Sequence, residues 1–539
     1  MKSASNKPLM DKIVAAELAW HRSAADQSVD EPPLRPLGKQ PGRAARLRPS
    51  PVGGPAAGGE VVGSAQQPQT ARNRRPLPGP RSLPLLGLYG NLLSFLYNPL
   101  GFMSRLHHQY GEIVTLARGT TKYVFVFTPE YNQLVLGNTS LFHNLDAESS
   151  PLRVPPGSAL SRLFAGLTRM NGERHQAQRH LMMPALQKKS VAAYDQDIYG
   201  VVEHHLSSWQ IGQTRDLYQE MRELTLAVAV KTLVGLDLHD GGGELCRLLD
   251  RWMGLVFSAS ALLLPLNLPG LPYHELLRVS EQLETFIRRL IDRKRRAGLR
   301  SRDVLSRLLQ VHDEDQGRLT DNELIGQTNF LFMAGHATTA SALTWALFLL
   351  TQHPEILART LAEMDDVLQG GEAMGEALDR LPYLEAVLKE TLRLLPPVLW
   401  WGRVSTAPCQ LGGHELPSGA LVIHSAYITH RQAARYPQPA KFLPERWRTA
   451  DAGAYEYLPF SAGPRKCLGA AFAMMEMKMV LALILRRFRL SSPERARIDL
   501  SGLMLSAPKR GMPMLIDRLD RKLRRAEVSG NIRTIVDLG

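Results

Sequence analysis

Phe460-Ser461-Ala462-Gly463-Pro464-Arg465-Lys466-Cys467-Leu468-Gly469 is the stretch on which the reading of this chain turns. Gly463 and Gly469 bracket a tight loop, and the Met- and Ala-rich residues after Gly469 read as a helix. A thiol just ahead of a helix start meets unpaired backbone N–H groups and the positive end of the helix dipole. Both favour thiolate over thiol. A thiolate held this way is a good ligand for a soft or borderline metal ion. The competing reading is a buried, inert cysteine, because free cysteine is among the most buried residue types. Cys467 alone leaves both open.

The rest of the run decides between them. It resembles, position for position, the heme-ligand loop of the cytochrome P450 family, F-x-x-G-x-R-x-C-x-G, with Phe460, Gly463, Arg465, Cys467 and Gly469 at the five fixed positions. The resemblance implies heme b (iron-protoporphyrin IX) with Cys467 as axial thiolate and sole protein metal ligand. Phe460 would pack near the sulfur, Gly463 would let the backbone turn, Arg465 would pair with a propionate, and Gly469 would permit close approach.

Other segments follow in the family's order. Glu390-Thr-Leu-Arg393 lies in an apolar-periodic stretch, Tyr383 to Leu395, that ends at Pro396-Pro397, and Glu and Arg three apart share a helix face. Alone it reads as an ordinary ion pair. With Pro444-Glu445-Arg446-Trp447, which is similar to the family's P-E-R-F, it implies a buried network of Glu390, Arg393 and Arg446. Ala334-Gly335-His336-Ala337-Thr338-Thr339, inside the apolar stretch Ile325 to Leu350, resembles the helix over the heme, A/G-G-x-D/E-T-T/S. Thr338 is then the expected oxygen-activation residue, with Ala334 and Gly335 forming the notch beside it. Paired threonines in an apolar helix otherwise mean packing. Ala337 stands where the family carries an acid, so protons must use water, Thr338 or His336; His336 reads equally as a packed histidine. Gly172 to Arg179 is similar to a helix in which His175 and Arg179 reach a propionate, and Arg403 matches a third cationic position.

Composition bounds the rest. Three cysteines among 539 residues, Cys246, Cys409 and Cys467, are no disulfide framework and suit a reducing compartment, so a cytoplasmic location is expected. No run approaches the roughly 18–20 apolar residues of a transmembrane anchor; Gly87, Gly90, Asn91 and Pro99 interrupt the nearest, Leu83 to Leu100. A net charge of +14 comes without a basic stripe interleaved with aromatics, which argues against nucleic acid. Arg465, Lys466, Lys478, Arg486, Arg487 and Arg489 are candidates to steer an acidic electron-transfer protein, or else form a solvated helix face.

Residues 1–77 read as an arm rich in Pro, Gly and Arg, 78–517 as the heme domain the resemblance covers, and 518–539 as a charged tail. The fold class is mainly α with a minor β region, as the cytochrome P450 fold implies. Helices are expected over Val191 to Leu236, Leu276 to Arg296, Glu323 to Gln352 and Met474 to Arg487, a strand at Tyr123 to Phe127, and a hairpin over Pro408 to Ile423. The family layout puts a substrate among the 145–168 loop, Phe330–Thr338, Val398–Trp401, Leu255–Tyr273 and Ser506–Pro508. Those segments are apolar, so the ligand should be lipophilic.

The resemblance implies a monomeric heme-thiolate monooxygenase using O2, with electrons from a ferredoxin- or flavodoxin-type donor and its reductase. Ala337 keeps open an isomerase, a dehydratase or a peroxide-using enzyme. A non-enzymatic heme sensor or carrier is the third class, and Thr338 weighs against it.

Overall fold

A computed structural model describes residues 76–539 apart from 85, 146–151, 257, 259, 262–263, 299–302, 315–318, 369–373, 450, 502–503 and 521–523. Almost all of the expected N-terminal arm, part of the 145–168 loop and four residues of the Leu255–Tyr273 segment (257, 259, 262 and 263) therefore lie outside the described residues. Six helices frame the site: α1 (Gly172–Met182), α2 (Leu217–Val234), α3 (Asp321–Gly335), α4 (Ala337–Gln352), α5 (Pro382–Leu394) and α6 (Ala470–Arg487). Their ends follow local chemistry. Asp216 caps α2 by accepting from the Tyr218 N–H at 3.0 Å, and Gly235 closes it in the left-handed region at φ 67. Thr320 and Glu323 form a reciprocal capping box on α3. Pro382 opens α5, where its missing N–H costs nothing.

From Thr339 to Gln352 every side chain of α4 is buried. A helix apolar on all sides must be wrapped, and α2, α5 and α6 all pack against it. Trp345, itself fully buried, donates its indole N–H to the Ser506 carbonyl at 3.2 Å.

The largest sheet has the order β1-β2-β5-β4-β3, with β1 (Ile113–Thr115), β2 (Tyr123–Val126), β3 (Phe142–His143), β4 (Trp401–Ser405) and β5 (Leu421–His424). β2 and β5 pair in parallel; the other contacts are antiparallel.

Four expectations need correction in detail. The stretch Ile325–Leu350 is two helices, broken at His336. Val191–Leu236 is interrupted, since Gly212 sits at φ 87 and Thr214–Asp216 pairs as a strand with Pro513–Leu515. The hairpin closes at Gly412-Gly413 but spans only Cys409–Leu416; Leu421–His424 leaves it to join the large sheet. The charged tail returns to the body: Val528, Ile532, Val536 and Leu538 are buried, and the Asp537 N–H donates to the Ala440 carbonyl at 2.9 Å.

Candidate functional site

The Cys467 loop is held by its backbone. The Cys467 N–H donates to the Phe460 carbonyl at 2.8 Å, and Gly463–Arg465 forms one turn of 3-10 helix. Gly463 has φ 70, and a Cβ there would lie 2.5 Å from the Leu136 carbonyl oxygen. Only glycine satisfies both demands. Gly469 is different: its φ is −85, and a Cβ would meet only the Cys467 sulfur at 4.0 Å. Nothing in the polypeptide itself asks for glycine there. Phe460 is half-buried against the main core.

Cys467 lies in a recess: its side chain is accessible, yet the walls are close enough that burial raises its pKa. The Gly469 backbone, Arg179 and Lys466 pull the other way and do not win. The helix start thus does less for the thiolate than the sequence suggested, because α6 begins only at Ala470 and desolvation is the larger effect. Cys467 would hold a metal ion through its sulfur, and such an ion would supply the missing countercharge, because coordination favours the thiolate. Cys246 shows the inert case, with its thiol pushed up to about 11 by burial.

Around this loop the fold gathers cations. Arg465 turns inward and donates from Nη2 to the Met170 carbonyl at 2.5 Å and to Asn171 Oδ1 at 2.7 Å, at the start of α1. His175, on α1, is buried and held down to about 4 by burial, then by Arg465, Arg179 and Arg403. Burial lowers Arg179 too, while the nearby Cys467 thiolate form would raise it. Arg403, on β4, is 3% exposed and pushed down to about 9 by burial and Arg465. Arg465 falls to about 10 through burial and Arg179. Burial depresses all four basic groups, and neighbouring arginines add to it at His175, Arg403 and Arg465. Arg403 Nε and Nη1 and Arg465 Nε are buried without a hydrogen-bond partner. Orphaned guanidinium donors are expensive unless an anion meets them. This donor set beside a thiol fits a metal-bearing group with two carboxylates, which is heme.

The α3–α4 junction carries the second part of the site. Phe330, Ala334 and Thr338, four residues apart, form a partly accessible stripe, flanked by the partly accessible Met333, Gly335 and Ala337. Thr338 Oγ1 donates to the Ala334 carbonyl and Thr339 Oγ1 to the Gly335 carbonyl, both at 3.0 Å. Thr225 Oγ1, from α2, donates to the His336 carbonyl at 3.1 Å. Hydroxyls competing for three successive carbonyls open the ladder there. His336 is 1% exposed, with Nδ1 3.3 Å from the Phe332 carbonyl and a pKa lowered to about 4 by burial. It is a packed, neutral histidine facing Arg222 and Asp250.

Residues 77–513 match the model of the family described as Cytochrome P450. This chain belongs to the cytochrome P450 family. Among its relatives, the putative cytochrome P450 135B1 of Mycobacterium bovis is 33% identical over 77% of this chain and 85% of that one. The cyclooctat-9-en-7-ol 5-monooxygenase of Streptomyces melanosporofaciens is 30% identical over 76% of this chain and 88% of its own length. Pentalenene oxygenase of Streptomyces avermitilis is 29% identical over 76% and 90%. The solved structure of a retinoic acid bound cyanobacterial CYP120A1 superposes with a TM-score of 0.70 at 26% identity, covering 83% of this chain and all of that one. The expected fold is therefore the observed one, and the chain is a P450 monooxygenase. Among the described residues, no helix is long and apolar enough to cross a membrane.

The charge network of this P450 is more complete than its motif suggested. Glu390 and Arg393 are both fully buried. Glu390 accepts from Arg393 Nε at 3.0 Å and Nη2 at 2.8 Å, from Arg446 Nε at 2.9 Å and from the Leu443 N–H at 3.1 Å. Trp447, where the family motif has Phe, donates its indole N–H to Glu390 Oε2 at 2.9 Å. The departure thus adds a donor that phenylalanine cannot supply.

One expectation about the surface changes. Of the six cations near the loop, Arg465 points inward. Lys478 is buried against Glu385 at 2.6 Å, Arg487 pairs with Glu203, and Arg489 pairs with Asp517 at 2.7 Å. Lys466 and Arg486 remain exposed. Trp400, on the expected Val398–Trp401 wall, is half-buried and packs edge-on against Phe95, with centroids 5.1 Å apart. His424 was not singled out from the sequence, where nothing distinguishes it from any strand-end histidine.

Proposed function

We propose that this P450 inserts one oxygen atom into an apolar, alicyclic hydrocarbon or alcohol, with heme held by Cys467 and clasped by His175, Arg179, Arg403 and Arg465. The observation that carries this reading is the convergence of four basic groups, with orphaned donors on Arg403 and Arg465, around one accessible cysteine. Heme with a thiolate axial ligand, when bound, supplies reductive activation of O2 for insertion into C–H or C=C bonds.

The chain's own residues set the conditions. Phe330, Met333 and Ala334 present apolar surface along α3, which favours a substrate without charge. The bridge between Val398 and Leu505, and the Ser506 N–H donating to the Pro397 carbonyl at 2.9 Å, tie two of the expected pocket walls together. Thr338 Oγ1 spends its proton on the Ala334 carbonyl, which leaves its lone pairs to accept from a water. That water must bring the proton, because Ala337 carries no acid and His336 is packed away. The names of the relatives acting on cyclooctat-9-en-7-ol and pentalenene support the substrate class. Electrons are expected from a separate ferredoxin- or flavodoxin-type donor meeting the face around Lys466. Ala337 also favours a second reading, in which peroxide replaces dioxygen and its proton requirement.

The reduced, carbon monoxide-treated protein should show a thiolate-type Soret band. Cys467→His should abolish it, and Cys246→Ala should leave it unchanged. A band that survives Cys467→His overturns the ligand assignment. Alicyclic hydrocarbons should shift the ferric Soret band, and no shift across such a panel overturns the substrate class.

A further inference from the structure

Beside these four basic groups stands a fifth nitrogen group that belongs to no motif. In the register between β4 and β5, Trp401 lies opposite His424 and Arg403 opposite Val422. Side chains alternate along a strand, so Trp401, Arg403, Val422 and His424 share one face of the sheet. His424 is thus the diagonal neighbour of Arg403, within reach of a shared ligand.

Its environment is unusual for a histidine. The side chain is 6% exposed, and neither Nδ1 nor Nε2 has a hydrogen-bond partner. Two other buried histidines are partnered: His430 binds the Arg393 carbonyl through Nδ1 at 3.1 Å and accepts from the Leu458 N–H at 2.7 Å. His353 Nδ1 meets the Leu349 carbonyl at 2.8 Å. Among the described residues, only on the Arg403 face do a ring with two idle nitrogens and a guanidinium with two idle donors lie side by side. Burial and the Arg403 charge hold the His424 ring neutral, with a pKa near 3. A neutral imidazole still has one N–H to give, and it adds no positive charge to a face that already carries Arg403.

A histidine serving only as filler would do better as leucine. Two adjacent residues with unmet donors make sense together when one acceptor with several lone pairs satisfies both, and a carboxylate has that capacity. We infer that His424 is a heme-carboxylate donor, acting with Arg403 from the same sheet face. The inference rests on the heme reading proposed above, and it adds a residue that neither spacing nor motif reveals.

The test is heme retention. Holoprotein is mixed with excess apomyoglobin and heme transfer is followed spectroscopically, for wild type, His424→Leu and His424→Gln. His424→Leu should release heme about tenfold faster, the loss expected of one hydrogen bond to a charged group. His424→Gln, which keeps an N–H donor, should stay within about threefold of wild type. The apoproteins should unfold at similar denaturant concentrations, because His424 makes no side-chain hydrogen bond within the polypeptide. If His424→Leu does not fold, His424→Phe takes its place in the series. Equal heme loss for the apolar and Gln variants, with the thiolate-type band intact in all, overturns the role of His424 and leaves the heme reading standing. Absence of that band in the wild type overturns the heme reading itself.

Discussion

Glu220 shows how much one side chain can organise. It accepts from His205 Nε2 at 2.9 Å, Trp209 Nε1 at 2.8 Å and Arg215 Nη1 at 2.9 Å, tying the first turn of α2 to the segment before it. Burial alone would raise its pKa, but the three donors outweigh that and hold it near 2 against an ordinary 4.5. A carboxylate whose folded pKa is depressed stabilises the fold fully above its unfolded value. That contribution disappears as pH falls from about 4.5 to about 2. Allowing for solvent screening, it is on the order of 2 kcal/mol. Glu220→Gln should lower stability at pH 7 and flatten its decline in that acid window, read by urea unfolding at a series of pH values. An unchanged acid profile would contradict this account. The Trp447 indole on Glu390 makes the same point: a side chain read as a motif mismatch is a hydrogen-bond donor in a fully satisfied buried network.

At the scale of elements, the α3–α4 break is the feature with functional consequence. Three hydroxyls, on Thr225, Thr338 and Thr339, occupy carbonyls between Ala334 and His336. The motif announced Thr338, and part of the break was legible in its adjacent threonines. Thr225 was not, because it arrives from α2 more than a hundred residues away. With Ala337 in the acid's place, proton delivery through Thr338-bound water should limit coupling. Ala337→Asp should raise product formed per NAD(P)H consumed by several-fold and lower peroxide release, while Thr338→Ala should do the reverse. Measuring product, peroxide and NAD(P)H together checks both, and equal coupling in all three proteins would place the proton route elsewhere. The loop before α6 teaches a complementary lesson. Its glycine at Gly463 is demanded by a positive φ and the Leu136 carbonyl, whereas Gly469 has no such constraint inside the chain.

At the scale of the whole molecule, the C-terminal residues act as a clasp. The Ser529 N–H donates to the Ala496 carbonyl at 2.9 Å, Arg431 Nη2 donates to the Ile535 carbonyl at 3.3 Å, and Ile532 is fully buried. Charge along 518–539 hid four apolar residues spaced to reach the core. Ile532→Ala should cost about 2–5 kcal/mol, the usual range for emptying a buried aliphatic site. A fall in Tm of several degrees would register it, and no change would mean the clasp is superficial. The basic face around the Cys467 loop is also smaller than its sequence suggests, since Lys478, Arg487 and Arg489 are engaged in ion pairs.

Local chemistry alone determined a great deal. Fixed spacings around Cys467, Thr338 and Glu390 were sufficient to expect the P450 family, a helical body and a thiol-centred site, because each motif encodes a turn, a cap or a helix face within ten residues. Tertiary structure alone decided which groups share space. It set four basic residues and His424 together, packed His336 away and closed the tail over the body. Those outcomes depend on sheet register and helix packing between segments hundreds of residues apart, and a linear sequence does not carry such distances.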